Sequence, residues 1–227
     1  MFGFPENTAM KQVIAKDSLL GRIGSMSAMT TAQKAVFNRD VKQVMITNMV
    51  SPKTMPMASG SRAPGFFVAN VALKQKAFNP KNVEMLLHRI GQKNILLALC
   101  AENVARFALK YDDHVVVSKE WVEANDFSFV FDGLDLDAAW NGIVKQVAGE
   151  PWNDSLTVAE NLVIQEHVAK LQKEIDVLEK KARTENQPAR KLELFNQMKA
   201  KLAELAEATH PTRHPEGRSP EGSSPKV

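Results

Sequence analysis

The sequence predicts an α+β fold: an antiparallel sheet flanked by helices, followed by a C-terminal antiparallel helical hairpin and a disordered tail. Three observations predict it. Short apolar runs with period two recur between residues 41 and 131. Helical periodicity with clear caps appears at 80–91 and 135–147. From Ile164 to Leu178 apolar residues then recur at alternating spacings of four and three, a heptad seam. The expected organisation is an α+β domain at 1–150, a helical hairpin at 151–208 and the tail at 209–227.

Each element has a local reason. Residues 8–39 read as two short helices broken between Gly21 and Gly24, with Thr30 or Thr31 capping the second. Residues 41–50 alternate as a strand, with Val44, Ile46 and Val50 on one side and Met45, Thr47 and Met49 on the other. Ser51-Pro52-Lys53 ends it, 54–58 is expected to pair as a short return, and 59–65 is loop. Residues 66–73 form the next strand. Asn79 and Pro80 open a helix whose apolar face is Val83, Leu86, Leu87 and Ile90, and Gly91 closes it. Residues 94–100 are apolar on both faces, as a central strand requires. Glu102-Asn103 turns the chain into an antiparallel partner at 104–111. Further short strands are expected at 114–117 and 127–131.

Helices follow. Asp135 caps one whose inward face is Leu136, Trp140, Ile143, Val144 and Val147. Thr157 and Glu160 fit a capping box ahead of the seam Ile164, Val168, Leu171, Ile175 and Leu178. A loop at 183–189 reverses the chain into a second amphipathic helix, read with Leu192, Phe195, Met198, Leu202 and Leu205 inward. The proline-rich tail has no apolar pattern and is expected to be disordered.

Composition excludes several classes. The 227 residues are 44% apolar and 24% charged, near the globular average, which rules out collagen-like, wholly disordered and disulfide-scaffold chains. No run approaches the ~18 apolar residues of a membrane span, and the start lacks the pattern of a secretory leader. Cys100 is the single cysteine, which fits a reducing, cytoplasmic location. Residues 1–110 hold 15 Lys/Arg against 5 Asp/Glu, whereas 111–227 hold 14 against 21. A basic half attracts phosphate backbones; equally, two oppositely charged halves attract each other. Eight of the ten methionines lie in residues 1–60. They serve either to pack small helices on a sheet or to make an adaptable binding surface.

Chemistry-bearing motifs are sparse. There is no Walker loop, no dinucleotide glycine fingerprint and no nucleophile elbow. Asp132, Asp135 and Asp137 sit at a helix start, where caps and the helix dipole favour acids, rather than in a two-metal pattern. Asp112-Asp113 and Ser118-Lys119-Glu120 do not follow the acid-x-Lys order of a restriction-type nuclease. His210 and His214 lie in the tail. Cys100 lies in an apolar strand, the setting of an inert thiol. Trp121, Trp140 and Trp152 are not interleaved with basic residues, which argues against a stacking platform. No catalytic, cofactor-binding or metal-binding residue is therefore expected.

The opening Met1-Phe-Gly-Phe-Pro-Glu-Asn-Thr8 resembles a bacterial domain-of-unknown-function family whose members begin with an MFGxPExT stretch. Val41 to Thr54, the strand Ile95-Leu-Leu-Ala-Leu, its partner ending at Tyr111, and Glu120-Trp121 are similar too. The likeness covers about residues 1–205, and Thr47 stands where the family pattern has an aromatic. The resemblance implies small proteins encoded beside helicase and DNA-methyltransferase genes of restriction-like defence loci. The expected function is a non-catalytic accessory or assembly subunit, probed at Leu171, Ile175, Leu194 and Leu205 as partner-contact candidates. Its protein partner would be a second copy or a helicase/methyltransferase-type subunit. The alternatives are a DNA-contacting module using the basic N-terminal half, with weak nonspecific contact, and a divergent metal-dependent nuclease. No membrane role and no cofactor are expected.

Overall fold

The computed structural model describes residues 2–23 and 26–209. Two compact units divide the chain, Met1–Leu162 and Val163–Val227. Residues 210–227, where the tail was placed and where His210 and His214 lie, fall outside the described residues; Thr209 closes the last helix.

Among the described residues the first unit has one sheet of seven strands: β1 (Ala9–Ile14), β2 (Val41–Val50), β3 (Phe66–Leu73), β4 (Ile95–Ala101), β5 (Val104–Tyr111), β6 (His114–Val117) and β7 (Val122–Glu123). Their order is β1-β2-β3-β4-β5-β6, with β7 also against β5. The pairing is mostly antiparallel. The exception is β3 with β4, which run parallel because helix α3 (Lys81–Ile90) carries the chain across between them. This unit is the expected α+β architecture.

The central strands divide their side chains between two cores. On β4, Leu96 and Ala98 join the core under helix α4 (Leu136–Ala148), while Ile95, Leu97, Leu99 and Ala101 join the other. That second core packs under α1 (Lys16–Leu20), α2 (Thr31–Asp40) and α3, through Leu19, Leu20, Phe37, Leu86 and Leu87. Burial of each such side chain contributes roughly 1.5–3 kcal/mol. The caps also form. The Thr30 side chain accepts from the Gln33 backbone in a capping box, and Asp135 accepts from the Ala138 backbone at 2.8 Å.

Four local expectations are corrected. Residues 9–14 are an edge strand, not the first of two helices; six mostly exposed residues with no period-two apolar pattern leave little strand signal. Val44 and Val50 reach opposite cores, because the register between β2 and β3 shifts between Ile46 and Asn48. Residues 54–57 are turn, and Ala58 bridges to Asp135 instead of folding back on β2. Residues 127–131 are not a strand. Their alternation reflects aromatic packing: Phe127 and Phe129 pack on Phe107, with centroids 4.8 Å apart in both pairs, and Phe131 on Phe4 at 5.1 Å.

The opening residues explain their own pattern. Phe2 and Phe4 are buried in the α4-side core, and the Phe129 backbone N–H donates to the Phe2 carbonyl. Gly3 has φ +78°, and a Cβ there would lie 2.9 Å from the Phe129 oxygen. Only glycine lets this crossing close.

The second unit is the hairpin of α5 (Val158–Thr184) and α6 (Pro188–Thr209), with the unit boundary falling one turn inside α5. Thr157 and Glu160 form the capping box expected at its start. The helices run antiparallel, since His167 meets Glu204 and Glu174 meets Lys201 at 3.1 Å. Leu171, Ile175 and Ala182 are buried along the α5 seam. On α6 the side facing that seam is Leu194, Met198, Lys201 and Leu205, all half-buried. Leu192, Phe195 and Leu202, read as inward, are exposed. The seam is offset by one residue, and Lys201 occupies an inward position because Glu174 and Glu204 pair with it. No helix among the described residues is long and apolar enough to cross a membrane.

Candidate functional site

One end of the sheet, where β2 and β5 finish and β3 and β4 begin, carries the most constructed surface of the first unit. The loop at 59–65 is clasped there by Asp137, in the first turn of α4. The Asp137 carboxylate accepts from the backbone N–H groups of Ser61 (2.8 Å), Arg62 (3.0 Å) and Ala63 (2.6 Å), and from the Ser61 hydroxyl (2.9 Å). The Ala63 N–H, foremost among these, holds Asp137 below the usual carboxylate range. Gly60 sits so close that an added Cβ would lie 2.1 Å from Asp137 Oδ1.

The clasp aims Arg62. Its guanidinium donates to the Tyr111 hydroxyl at 3.0 Å and to Asp112 Oδ2 at 2.7 Å, and lies 5.2 Å from the Tyr111 ring centroid. Asp112 stabilises the charged guanidinium. Burial raises the Tyr111 phenol, and Arg62 partly offsets that rise. Asn94 donates its amide to the Arg62 carbonyl at 3.0 Å, so the residue is fixed from both sides.

Two clefts meet at Arg62. The first, of about 270 Å³, is lined by His88, Lys93, Lys110, Tyr111 and Asp112 together with Arg62. The second, of about 350 Å³, is lined by Met49, Pro64, Phe66 and Phe67 with Lys93 and Asn94. Arg62, Gln92, Lys93 and Asn94 border both. The result is a cationic cleft continuous with an apolar recess.

The sequence reading missed this assembly. Arg62, Lys93 and Lys110 are scattered singly along the chain, and only the loop clasp and the strand ends bring them together. Trp121 is a second case. It is flanked in sequence by Glu120 and Val122, yet the Arg106 guanidinium lies 5.8 Å from its ring centroid and Phe78 packs against its edge.

The other candidates are placed as follows. Asp112 and Asp113 lie in the β5–β6 turn, paired with Arg62 and Lys110. Asp135 is a helix cap and Asp137 the loop clasp. No group of three or more His, Cys, Asp or Glu side chains is placed to hold a metal ion among the described residues. Cys100 is largely buried, and its thiol is pushed up to about 11 by burial. Of the partner-contact candidates, Leu171 (2% exposed) and Ile175 (5%) are buried in the hairpin, while Leu194 and Leu205 are half-buried beside them.

An α+β sheet unit joined to a helical hairpin is thus the class that fold and surface define. Residues 2–205 match the family described as Domain of unknown function (DUF4391), and the chain belongs to it. No curated protein and no solved structure matches.

Proposed function

We propose that the protein is a non-catalytic accessory or assembly subunit of a bacterial DNA-modification or antiphage defence system, working in the cytoplasm through protein contacts. The observation that carries the assembly role is the outer side of α6. Leu192, Phe195 and Leu202 are 63%, 44% and 45% exposed and share one helical stripe. Covering the part of each side chain still in water favours association with a partner. The defence context rests on the family resemblance of the opening and strand motifs. Leu194 and Leu205 flank the stripe; Leu171 and Ile175 support it from inside the hairpin.

The test is affinity capture from a native host of the tagged full chain and its Phe195→Glu/Leu202→Glu variant. The wild type should retain a helicase- or methyltransferase-type subunit, and the folded variant should lose it. Equal recovery by both, or recovery of no such subunit, overturns the reading.

A second reading is favoured by the cationic cleft: the basic N-terminal half contacts DNA weakly and without sequence preference. Filter binding across a salt series tests it. Nanomolar, sequence-selective binding at physiological salt would contradict it, as would no binding at low salt.

A further inference from the structure

We infer that the Arg62 cleft takes one nucleotide of a single DNA strand, with the phosphate on Arg62, Lys93 and Lys110 and the unpaired base in the recess beside Met49 and Phe67. This rests on the DNA-contact reading above and makes it specific.

Charge is the first ground. Arg62, Lys93 and Lys110 reach one cleft from a loop, a helix-to-strand connection and the end of β5. Among the described lining residues Asp112 is the one acid, and Arg62 engages it at 2.7 Å; just outside the lining, Asp113 reaches Lys110 at 3.8 Å and the Asp137 carboxylate acts on Arg62. Arg62 uses part of its donor fork on Tyr111 and Asp112, leaving the rest to an incoming oxyanion. The carboxyl end of α3 also borders the cleft and opposes an anion. It acts as roughly half a charge, set against Lys93, while the exposed Lys110–Asp113 pair yields to a phosphate at little cost.

The recess is the second ground. It opens directly from the cationic cleft and holds about 350 Å³. Met49, 44% exposed, stands opposite Phe67 in the β2–β3 register. A polarisable thioether and an aromatic ring suit the face of any base, whatever its identity. In a duplex the bases are stacked inward and cannot reach such a recess, so an unpaired base is required.

Preorganisation is the third. The Asp137 clasp and the Asn94 bond hold the Arg62 backbone in place before any ligand arrives. Little ordering entropy is left to spend on binding.

The test is fluorescence anisotropy with the full chain and a labelled oligothymidylate of about 12 nucleotides, within the usual range of single-strand site sizes. A blunt duplex of equal length and thymidine monophosphate serve as comparison arms. The single strand should bind several-fold more tightly than the duplex. Its affinity should fall with a shallow log–log salt slope of about −0.7, as expected for one neutralised phosphate. Lys93→Glu with Lys110→Glu should weaken it at least tenfold, and Met49→Ser a few-fold for the strand alone. The same charge reversal at Lys11 and Lys42, outside the cleft, should change it less than twofold. Thermal melts check the fold, and Lys93→Gln/Lys110→Gln replaces any reversed pair that melts early. Competition by the monophosphate alone as strongly as by the strand would show an isolated phosphate site and overturn the strand assignment. Loss on charge reversal with no effect of Met49→Ser overturns the inference and leaves general DNA contact standing. Equal effects at Lys11/Lys42 and at the cleft, or no binding at all, overturn both.

Discussion

Asp40 is a wholly buried carboxylate at the end of α2. It accepts from Arg39 Nε at 2.7 Å, the Asn79 backbone at 2.7 Å and the Asn82 amide at 3.0 Å. The Arg39 bond, foremost, holds it below its ordinary value of 3.8 despite burial. Because the folded value is the lower one, this stabilisation is complete above the unfolded value and is lost as pH falls through the folded value. Asp40→Asn should destabilise the fold by about 1–3 kcal/mol at neutral pH, since it trades charged for neutral acceptors and presents donors to donors. The variant should also lose the part of acid sensitivity that Asp40 supplies. Urea melts at neutral and acidic pH check both. Gly60→Ala tests the loop clasp in the same way. Its methyl would meet the Asp137 carboxylate and backbone N at 2.1 and 2.7 Å, so overpacking should cost roughly 1–3 kcal/mol and raise proteolysis at 59–63.

At the scale of elements, the hairpin separates residues by function. Leu171→Ala removes a buried seam side chain and should cost about 2–5 kcal/mol. Leu192→Gln alters an exposed one and should stay within about 0.5 kcal/mol. Helical melts by circular dichroism distinguish them, and similar losses for the two would restore the seam first read from the sequence. The seam of α5 was legible because it carries apolar residues at unbroken heptad spacing. The seam of α6 was not. Leu192, Phe195 and Leu202 form as good a stripe as Leu194, Met198 and Leu205, and Lys201 interrupts the true one. Only Glu174, opposite on α5, decides between them. The same limit hid β1, whose pairing with β2 supplies what its own composition lacks.

For the molecule as a whole, stability is distributed unevenly. Six of the seven residues of β4 are buried, whereas α6 has no buried residue. Amide exchange should therefore be slowest in β3–β5 and markedly faster through α6, as measured by mass spectrometry. Equal protection of α6 and β4 would refute this ordering. The sheet's existence and its helical covering were readable from period and caps. The cleft was not, because charge counts report the basic half without saying where Arg62, Lys93 and Lys110 meet. That meeting depends on Asp137, a residue the sequence marks only as an acid at a helix start.

Cys100 gives this architecture a built-in reporter. It is the chain's sole thiol, lies on β4 at the sheet centre, and is held protonated near neutral pH by burial. An alkylating reagent needs thiolate and access, and the closed sheet provides little of either. Labelling of the native protein would then track the opening of β4 from its neighbours, without any engineered probe. A ligand in the Arg62 cleft, where β3 and β4 begin, would slow that labelling from the far end of the same strand.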